Sequence, residues 1–198
     1  MKPPLRLSLL ILIFLAVACK PPDDPIPTLP TPQTTSIKTD EPINMLFASP
    51  AYGMHLTTWW QPDVIWRDMD LVKEMGFGWV KQPVAWSDIE KGQDGFDWYF
   101  LDEVIVPGAE SRGLKLLLRL DRSPLWAVEE KPGLSANTPP QDFADYGDFC
   151  GQMAARYRGR VQAYQVWNEP NLHREWGNAK PDPVAYTQLL KVCYEAIK

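Results

Sequence analysis

From residue 46 onward, short apolar runs alternate with stretches in which apolar residues recur at every third or fourth position. The short runs predict β-strands near residues 51–55, 77–86, 114–120 and 162–167. Continuous apolar runs of this length are typical of buried strands. The run at 114–120, LKLLLRL, is apolar almost throughout, which is typical of a strand buried on both faces in a parallel sheet.

The 3.6-residue periodicity predicts four helices that follow these strands. Pro62 and Asp63 suit the start of the first, and Gly76 suits its end. The others cover residues 97–113, 140–160 and 183–198, with Asp182 and Pro183 as the capping pair of the last. Pro107 lies inside the second helix and predicts a kink or break there. The expected inward faces comprise Ile65, Met69 and Val72; Leu101, Val104 and Ile105; Phe143, Tyr146, Cys150, Met153 and Tyr157; and Tyr186, Leu190, Cys193 and Ile197.

This order amounts to four β-α units, and it limits the possible architectures. Strand starts near residues 51, 78, 115 and 162 are separated by about 27, 37 and 47 residues, enough for one helix between each pair. Right-handed crossovers would make all four strands parallel. A dinucleotide-binding sheet also alternates in this way, but no G-x-G-x-x-G follows the first strand. The predicted fold class is therefore α/β, a (β/α)8 barrel of which residues 43–198 supply about the first four units.

The first 42 residues predict export rather than folded structure. Residues 1–18 combine Lys2 and Arg6 with an apolar run over 7–18 and small residues before position 19, which is typical of a signal peptide. The apolar run is shorter than the ~20 residues of a spanning helix. Cys19 in the next position favours a lipidated, cell-surface or periplasmic lipoprotein, with plain secretion as the alternative. Residues 19–42 carry seven prolines after Cys19 and predict a disordered tether.

Composition excludes some functions. The net charge of −5 argues against nucleic-acid binding, which needs a basic face. The only histidines, His55 and His173, are too far apart for a metal motif, so we expect neither metal nor cofactor. Nine Trp and seven Tyr suit both a core and a sugar site, where flat rings stack on the apolar face of a pyranose.

Export permits a disulfide, but Cys150 and Cys193 fall on apolar helix faces and are interpreted as buried thiols.

Polar and aromatic groups follow each predicted strand, where barrel enzymes keep their chemistry. This mixture suits a neutral, polyhydroxylated ligand better than a phosphate. For His55, Lys81, Gln82, Arg119, Trp86 and Trp126, substrate contact and an ordinary structural role both remain open. Trp59, Trp60 and Trp176 are further stacking candidates. Asp121 is assigned no nucleophilic role, and Glu90 and Glu175 are interpreted as solvated loop charges. The candidate set comprises His55, Lys81, Gln82, Trp86, Arg119, Trp126, Asn168 and Glu169.

The fourth strand runs into VWNEPN, residues 166–171, and this segment resembles the signature of glycoside hydrolase clan A, which includes families 5 and 39. The resemblance extends to WVKQPVAWSDIEKGQDGFDWYFLD at the second strand, GLKLLLRLDRSPLWA at the third and REWGNAKPDPVAYTQLLKVCYEAIK after the fourth. It covers residues 51–198.

The resemblance implies a role for each matching residue. Glu169 matches the general acid/base, and Asn168 matches the amide that hydrogen-bonds the sugar 2-hydroxyl. Pro170 lets the strand stop and turn at once. Trp167 is expected either to pack behind Glu169 or to line the pocket. Clan members use a retaining mechanism in which a second carboxylate, at the end of strand seven, lies about 5–5.5 Å away as the nucleophile.

Strand seven is absent from the sequence, so we expect these residues to be the N-terminal part of the barrel. Alone they should show little or no hydrolysis and poor solubility, because the two outer strands would have open edges. Two alternatives remain: a lipid-anchored glycan-binding protein without catalysis, and a half barrel that pairs with itself. The expected partners are a carbohydrate and, through Cys19 only, a membrane, while the oligomeric state stays open.

Overall fold

A computed structural model describes residues 52–57, 59, 61–128 and 135–198. Its strands are β1 (Gly53–His55), β2 (Trp79–Ala85), β3 (Glu90–Gly92), β4 (Gly95–Phe96), β5 (Lys115–Asp121) and β6 (Ala163–Val166). Four of these strands form one parallel sheet in the order β1-β2-β5-β6, as expected for consecutive units of a (β/α) barrel. The short β3 and β4 pair separately as an antiparallel hairpin.

The helices are α1 (Ile65–Glu74), α2 (Trp86–Ile89), α3 (Val106–Glu110), α4 (Phe143–Arg156) and α5 (Pro183–Ile197). The sequence-based helices are confirmed in place and order, apart from the one-turn α2. In α1, Ile65, Met69 and Val72 are at most 1% exposed, so the periodicity identified the inward face. Gly76 follows with φ 78°, a conformation that glycine adopts without strain. Asp182 caps α5 by accepting hydrogen bonds from two backbone N–H groups.

Near Pro107, where a kink or break was expected, the helix changes form instead of ending. The segment Leu101–Ile105 is π-helical and runs directly into α3, in which Pro107 occupies the first turn. Proline has no N–H and its ring crowds the carbonyl four residues earlier, so a regular α-helix cannot pass through this position. The wider π turn accommodates the proline without ending the helix.

The helices α4 and α5 pack closely, and this contact corrects two expectations. A Cβ placed on Gly147 would lie 3.4 Å from Val192, so the missing side chain permits the approach. Leu189 is fully buried, whereas Leu190 lines a groove beside β6 and is 40% exposed, so the prediction that Leu190 faces inward was wrong.

The second correction concerns the thiols. Cys150 of α4 and Cys193 of α5 form a disulfide, with Cα atoms 5.3 Å apart, so the interpretation as free thiols was wrong. Both residues do lie on buried faces, each 0% exposed. Those faces meet each other as well as the sheet, which places the two sulfur atoms side by side.

The sheet remains open at both ends among the described residues. β1 and β6 each have one partner strand. Large apolar side chains are exposed on the flanking helices: Trp66, Leu71 and Met75 on and after α1, and Val184, Leu190 and Tyr194 on α5. A groove beside β6 is lined partly by Tyr164, Val166, Leu190 and Ile197. Within the described ranges, each helix is too short or too polar to cross a membrane.

We predict that removing the disulfide destabilises the fold by about 4 kcal/mol. The bridge closes a loop with a sequence separation of 43 residues, and the chain-entropy relation gives that value for such a loop. Urea unfolding of the oxidised chain and of the Cys150→Ala/Cys193→Ala variant would measure the difference. Reductant should lower the stability of the first protein and leave the variant unchanged. Equal stability of the two oxidised proteins would contradict the prediction.

We also predict that recombinant residues 43–198 self-associate. Among the described residues, β1 and β6 each have one edge without a partner strand, and these edges, with the apolar side chains beside them, favour pairing with other chains. Size-exclusion chromatography with light scattering would measure the mass. A discrete dimer indicates that one half barrel pairs with another, whereas a broad distribution indicates unspecific edge pairing. A stable monomer at micromolar concentration would disprove the prediction.

Candidate active site

The chain turns sharply at the end of β6. The turn places Glu169 at the rim, which is formed by the C-terminal ends of the parallel strands. Trp167 has φ 63° and Glu169 has φ 38°, both in the left-handed region that non-glycine residues seldom adopt. Trp167 N–H donates to the Leu120 carbonyl at 2.9 Å, which extends the ladder with β5 by one step. Strained backbone of this kind persists only where its surroundings hold it, and it clusters at functional sites.

The Trp167 side chain holds this backbone in place. It is 1% exposed, so the structure places it behind the rim and not in the pocket. Its indole Nε1 donates to the Glu175 carbonyl at 2.7 Å, and its ring meets the Trp176 ring edge-on at 6.0 Å. The 3-10 turn His173–Glu175 is thereby fixed against the end of β6.

Glu169 itself is half exposed, with 51% of its side chain accessible. Its Oε2 accepts a hydrogen bond from Arg174 Nη2 at 3.1 Å. The same guanidinium lies 3.4 Å from Glu175 Oε1, and Asn137 Nδ2 donates to Glu175 Oε2 at 3.0 Å. Only 14% of the Glu175 side chain is exposed, so its interpretation as a solvated charge was wrong. Arg174 follows Glu169 by five positions, and no spacing rule for a loop would have predicted this pair.

Asn168 is held from the neighbouring strand. Arg119 Nη1 donates to Asn168 Oδ1 at 3.0 Å, and Arg119 Nε lies 2.6 Å from Asp121 Oδ2. Both charged side chains are largely buried, 12% exposed for Arg119 and 5% for Asp121. Burial raises the pKa of Asp121, although the charges of Arg119 and Arg122 oppose this rise.

His55 and Lys81 meet on the open face of the sheet. The register aligns His55 with Lys81, Lys81 with Leu117, and Leu117 with Ala163, so these side chains share one row across the four strands. They line a cavity of about 400 Å³ together with Trp79. Burial, and then the charges of Lys81 and Arg119, lower the pKa of His55. Burial and Arg119 likewise lower the pKa of Lys81, while Asp121 and Glu169 counteract this.

Gln82 and Trp86 lie elsewhere, and their burial favours the structural role over substrate contact, the two readings that the sequence left open. Gln82 shares its row with Leu118 and Tyr164, on the helix-facing side, and is 0% exposed. Its Nε2 donates to the Pro83 carbonyl at 2.8 Å. Trp86 is also 0% exposed and stacks on Phe149 at 5.5 Å. Successive side chains of a strand point to opposite faces, so Lys81 and Gln82 could not both face the cavity.

Trp126 belongs to a different cavity from His55 and Lys81. Its ring contacts Trp86 edge-on, and its Nε1 donates to the Glu90 carbonyl at 3.2 Å. Both Trp126 and Glu90 line a cavity of about 460 Å³ beside α4. Of the other stacking candidates, Trp59 packs edge-on against Phe100 and Trp176 is 6% exposed, while Trp60 lies outside the described residues.

Glu90 corrects a further expectation. It is 4% exposed, accepting from Trp86 Nε1 at 2.7 Å and from Asp94 N–H at 2.9 Å, so it is not a solvated charge. The β3–β4 hairpin that contains it was missed, although Asp94-Gly95 between two short segments is a hairpin signal.

Comparisons with known proteins agree with this geometry. The family model "Cellulase (glycosyl hydrolase family 5)" matches residues 40–198. A family 39 glycoside hydrolase from Bacteroides cellulosilyticus WH2 superposes with a TM-score of 0.58 at 22% identity, over 74% of this chain and 28% of that one. A comparison with curated protein sequences finds no match.

Two further solved structures share the fold. A glycoside hydrolase matches with a TM-score of 0.53 at 18% identity, over 75% of this chain and 49% of that one. GH5_18 from Bifidobacterium longum subsp. longum, in complex with Manβ1-4GlcNAc, matches with a TM-score of 0.53 at 15% identity, over 71% of this chain and 37% of that one. The chain therefore spans less than half the length of each of these structures.

We predict that His55 titrates below the usual histidine range and that Lys81→Met raises its pKa. Removing the Lys81 charge makes protonation of the imidazole easier. NMR of the chain with labelled histidine would follow this titration, since His55 and His173 are the only histidines. The exposed Lys73→Met is the matched control and should leave the His55 titration unchanged. An unchanged midpoint in Lys81→Met would show that the two side chains are not electrostatically coupled.

Proposed function

The chain belongs to the cellulase family, glycosyl hydrolase family 5, and on this basis we propose that it takes part in hydrolysing O-glycosidic bonds of oligo- or polysaccharides by a retaining double displacement. Glu169 is the proposed general acid/base, and Asn168 the donor to the 2-hydroxyl of the sugar that is cleaved. The observation that carries the proposal is the strained end of β6, which presents these two adjacent side chains at the C-terminal rim.

Two separate tasks explain why the neighbouring side chains are a carboxyl and an amide. Breaking the glycosidic bond requires a proton on the leaving oxygen while positive charge develops at C1. Glu169 is half exposed at the rim and so accessible to such an oxygen. Asn168 has no charge to compete for the proton, and its amide can bind a hydroxyl that neither gains nor loses a proton. His55, Lys81 and Arg119 supply further donors on the open side of the sheet.

The nucleophile of this mechanism would come from outside the four described β-α units. A retaining site needs a second carboxylate about 5–5.5 Å from the first, carried by a later strand. We therefore propose that the described half barrel is inactive alone and acts with a segment or chain that pairs with β1 and β6 and completes the sheet.

We further propose that the protein is exported and anchored through a lipid on Cys19, with plain secretion as the alternative. The Cys150–Cys193 disulfide supports export, because disulfides persist in oxidising compartments and are rare in the cytosol.

The second candidate function is glycan binding without turnover. It is favoured by the Arg174–Glu169 contact, which ties up the proposed acid, together with a cavity that offers donors for sugar hydroxyls. Calorimetry against a panel of oligosaccharides, run beside an aryl-glycoside assay, separates the two functions. Saturable binding with no release of the aryl group supports this candidate.

We predict that Glu169→Gln lowers kcat by about 10²–10⁴-fold on substrates with poor leaving groups, the usual contribution of a general acid. The loss of glycosyl transfer should be much smaller with a dinitrophenyl glycoside, whose leaving group departs without a proton. Steady-state and burst kinetics on the chain assembled with the completing half would measure both.

Glu195→Gln is the matched control, since Glu195 is exposed on α5 and contacts Lys191 only loosely, at 3.8 Å. It should leave kcat unchanged. Equal losses in the rate of glycosyl transfer for Glu169→Gln on both classes of substrate would contradict its role as the acid. If the wild-type assembly shows turnover that Glu169→Gln retains in full, the assignment of the site itself is wrong.

A further inference from the structure

Arg119 and Asp121 do more than line the rim: we propose that they are positioning residues that fix which way the Asn168 amide faces. In this arrangement Asp121 holds the Arg119 guanidinium, Arg119 binds Asn168 Oδ1, and the Asn168 Nδ2 group is left to donate to substrate. This Asp121–Arg119–Asn168 relay involves only groups of this chain. Its consequence for substrate rests on the proposed function.

The first step is the orientation of the amide. A carboxamide has an acceptor end and a donor end of nearly the same shape, so its two flipped orientations differ mainly in hydrogen bonding. Arginine carries donors only. The 3.0 Å contact with Arg119 Nη1 therefore requires the oxygen of Asn168, because the flipped amide would set N–H against N–H. Within the described residues, Nδ2 then has no hydrogen-bond acceptor of its own.

The second step is the rigidity of Arg119. A long arginine side chain at a rim would ordinarily sample many rotamers, but this one is only 12% exposed. Its Nε lies 2.6 Å from Asp121 Oδ2 in an ion pair whose N–H geometry makes no hydrogen bond, while Nη1 donates to Asn168 Oδ1, so charge attraction and one hydrogen bond restrain the planar group at two nitrogens. Arg119 and Asp121 stand two residues apart on β5, and such residues share a face of the sheet.

The third step is the cost of keeping Asp121 there. Only 5% of its side chain is exposed, and Oδ1 has no hydrogen-bond partner among the described residues. A buried carboxylate with an unsatisfied oxygen is unfavourable, and an apolar pair would serve stability as well or better. Positioning of a neighbouring group is a reason for such a pair, whereas stability alone is not.

The amide orientation has a chemical consequence for the substrate. With Nδ2 facing outward, Asn168 offers two N–H groups and accepts nothing on that side, so it suits a sugar oxygen and disfavours a protonated 2-amino group. The relay would therefore contribute to the choice of 2-hydroxy over 2-amino sugars, through residues that need not touch the sugar themselves.

The relay can be tested without any sugar. On the chain labelled with 15N in its asparagine side chains, Asn168→Asp identifies the Asn168 Nδ2 resonances. We expect Arg119→Met to shift them, because the charge-assisted hydrogen bond to Oδ1 polarises the amide and holds it in one orientation. Asp121→Asn should do so in part. Arg160→Met, which breaks the exposed Arg160–Glu110 pair, is the control and should leave these resonances unchanged. Unchanged resonances in Arg119→Met would overturn the proposal.

A second arm uses the assembled enzyme and a pair of aryl glycosides, one with a 2-hydroxyl and one 2-deoxy. Arg119→Met should lower kcat/KM for the first by about tenfold or more and change the second little. In the Asn168→Ala background, Arg119→Met should cause no further loss. Equal losses on both glycosides would reduce Arg119 to a structural role and overturn the proposal. If the assembly neither binds nor cleaves sugars, the proposed function fails while the NMR arm still decides the relay.

Discussion

The register between β5 and β6 is the constraint on which the site depends. Leu120 aligns with Val166, and the ladder continues to Trp167 through the Leu120 carbonyl. This alignment brings Asn168 within hydrogen-bond distance of Arg119 and makes Glu169 the next residue on the rim. A slip by one residue would turn every side chain of β6 to the other face. The buried Trp167 indole, tied to the Glu175 carbonyl, resists such a slip because it fits only one of the two faces.

The architecture could be predicted from sequence because its signals are local and repeated. Four apolar runs gave four parallel strands, and the spacing of Ile65, Met69 and Val72 gave the inward face of α1. The assignment of faces within a strand was harder. In β2 both faces are largely buried, so burial does not tell Lys81 from Gln82, and only the register with β1 and β5 shows which one faces the cavity.

What could not be predicted depends on contacts between elements that are distant in the sequence. The disulfide requires α4 and α5 to approach across the positions of Gly147 and Val192, a geometry that neither helical pattern contains. Glu90 and Glu175 were interpreted as solvated because they lie in loops. Each is covered by residues that fold back over it, Trp86 and Asp94 in one case and Asn137 in the other. Loop carboxylates are exposed by default, and partners brought by tertiary structure reverse that default.

The charges of the open face favour one kind of covering segment over another. Burial is the main cause that lowers the pKa values of His55 and Lys81, and the charge of Arg119 adds to it in both, while Asp121 and Glu169 partly counteract it for Lys81. A covering segment that brought more cations would add to the repulsion between Lys81 and Arg119. One that brought a carboxylate would relieve it and would place a second acid opposite Glu169. We infer that the electrostatics of the half barrel favour the same residue type that a retaining mechanism needs from its other half.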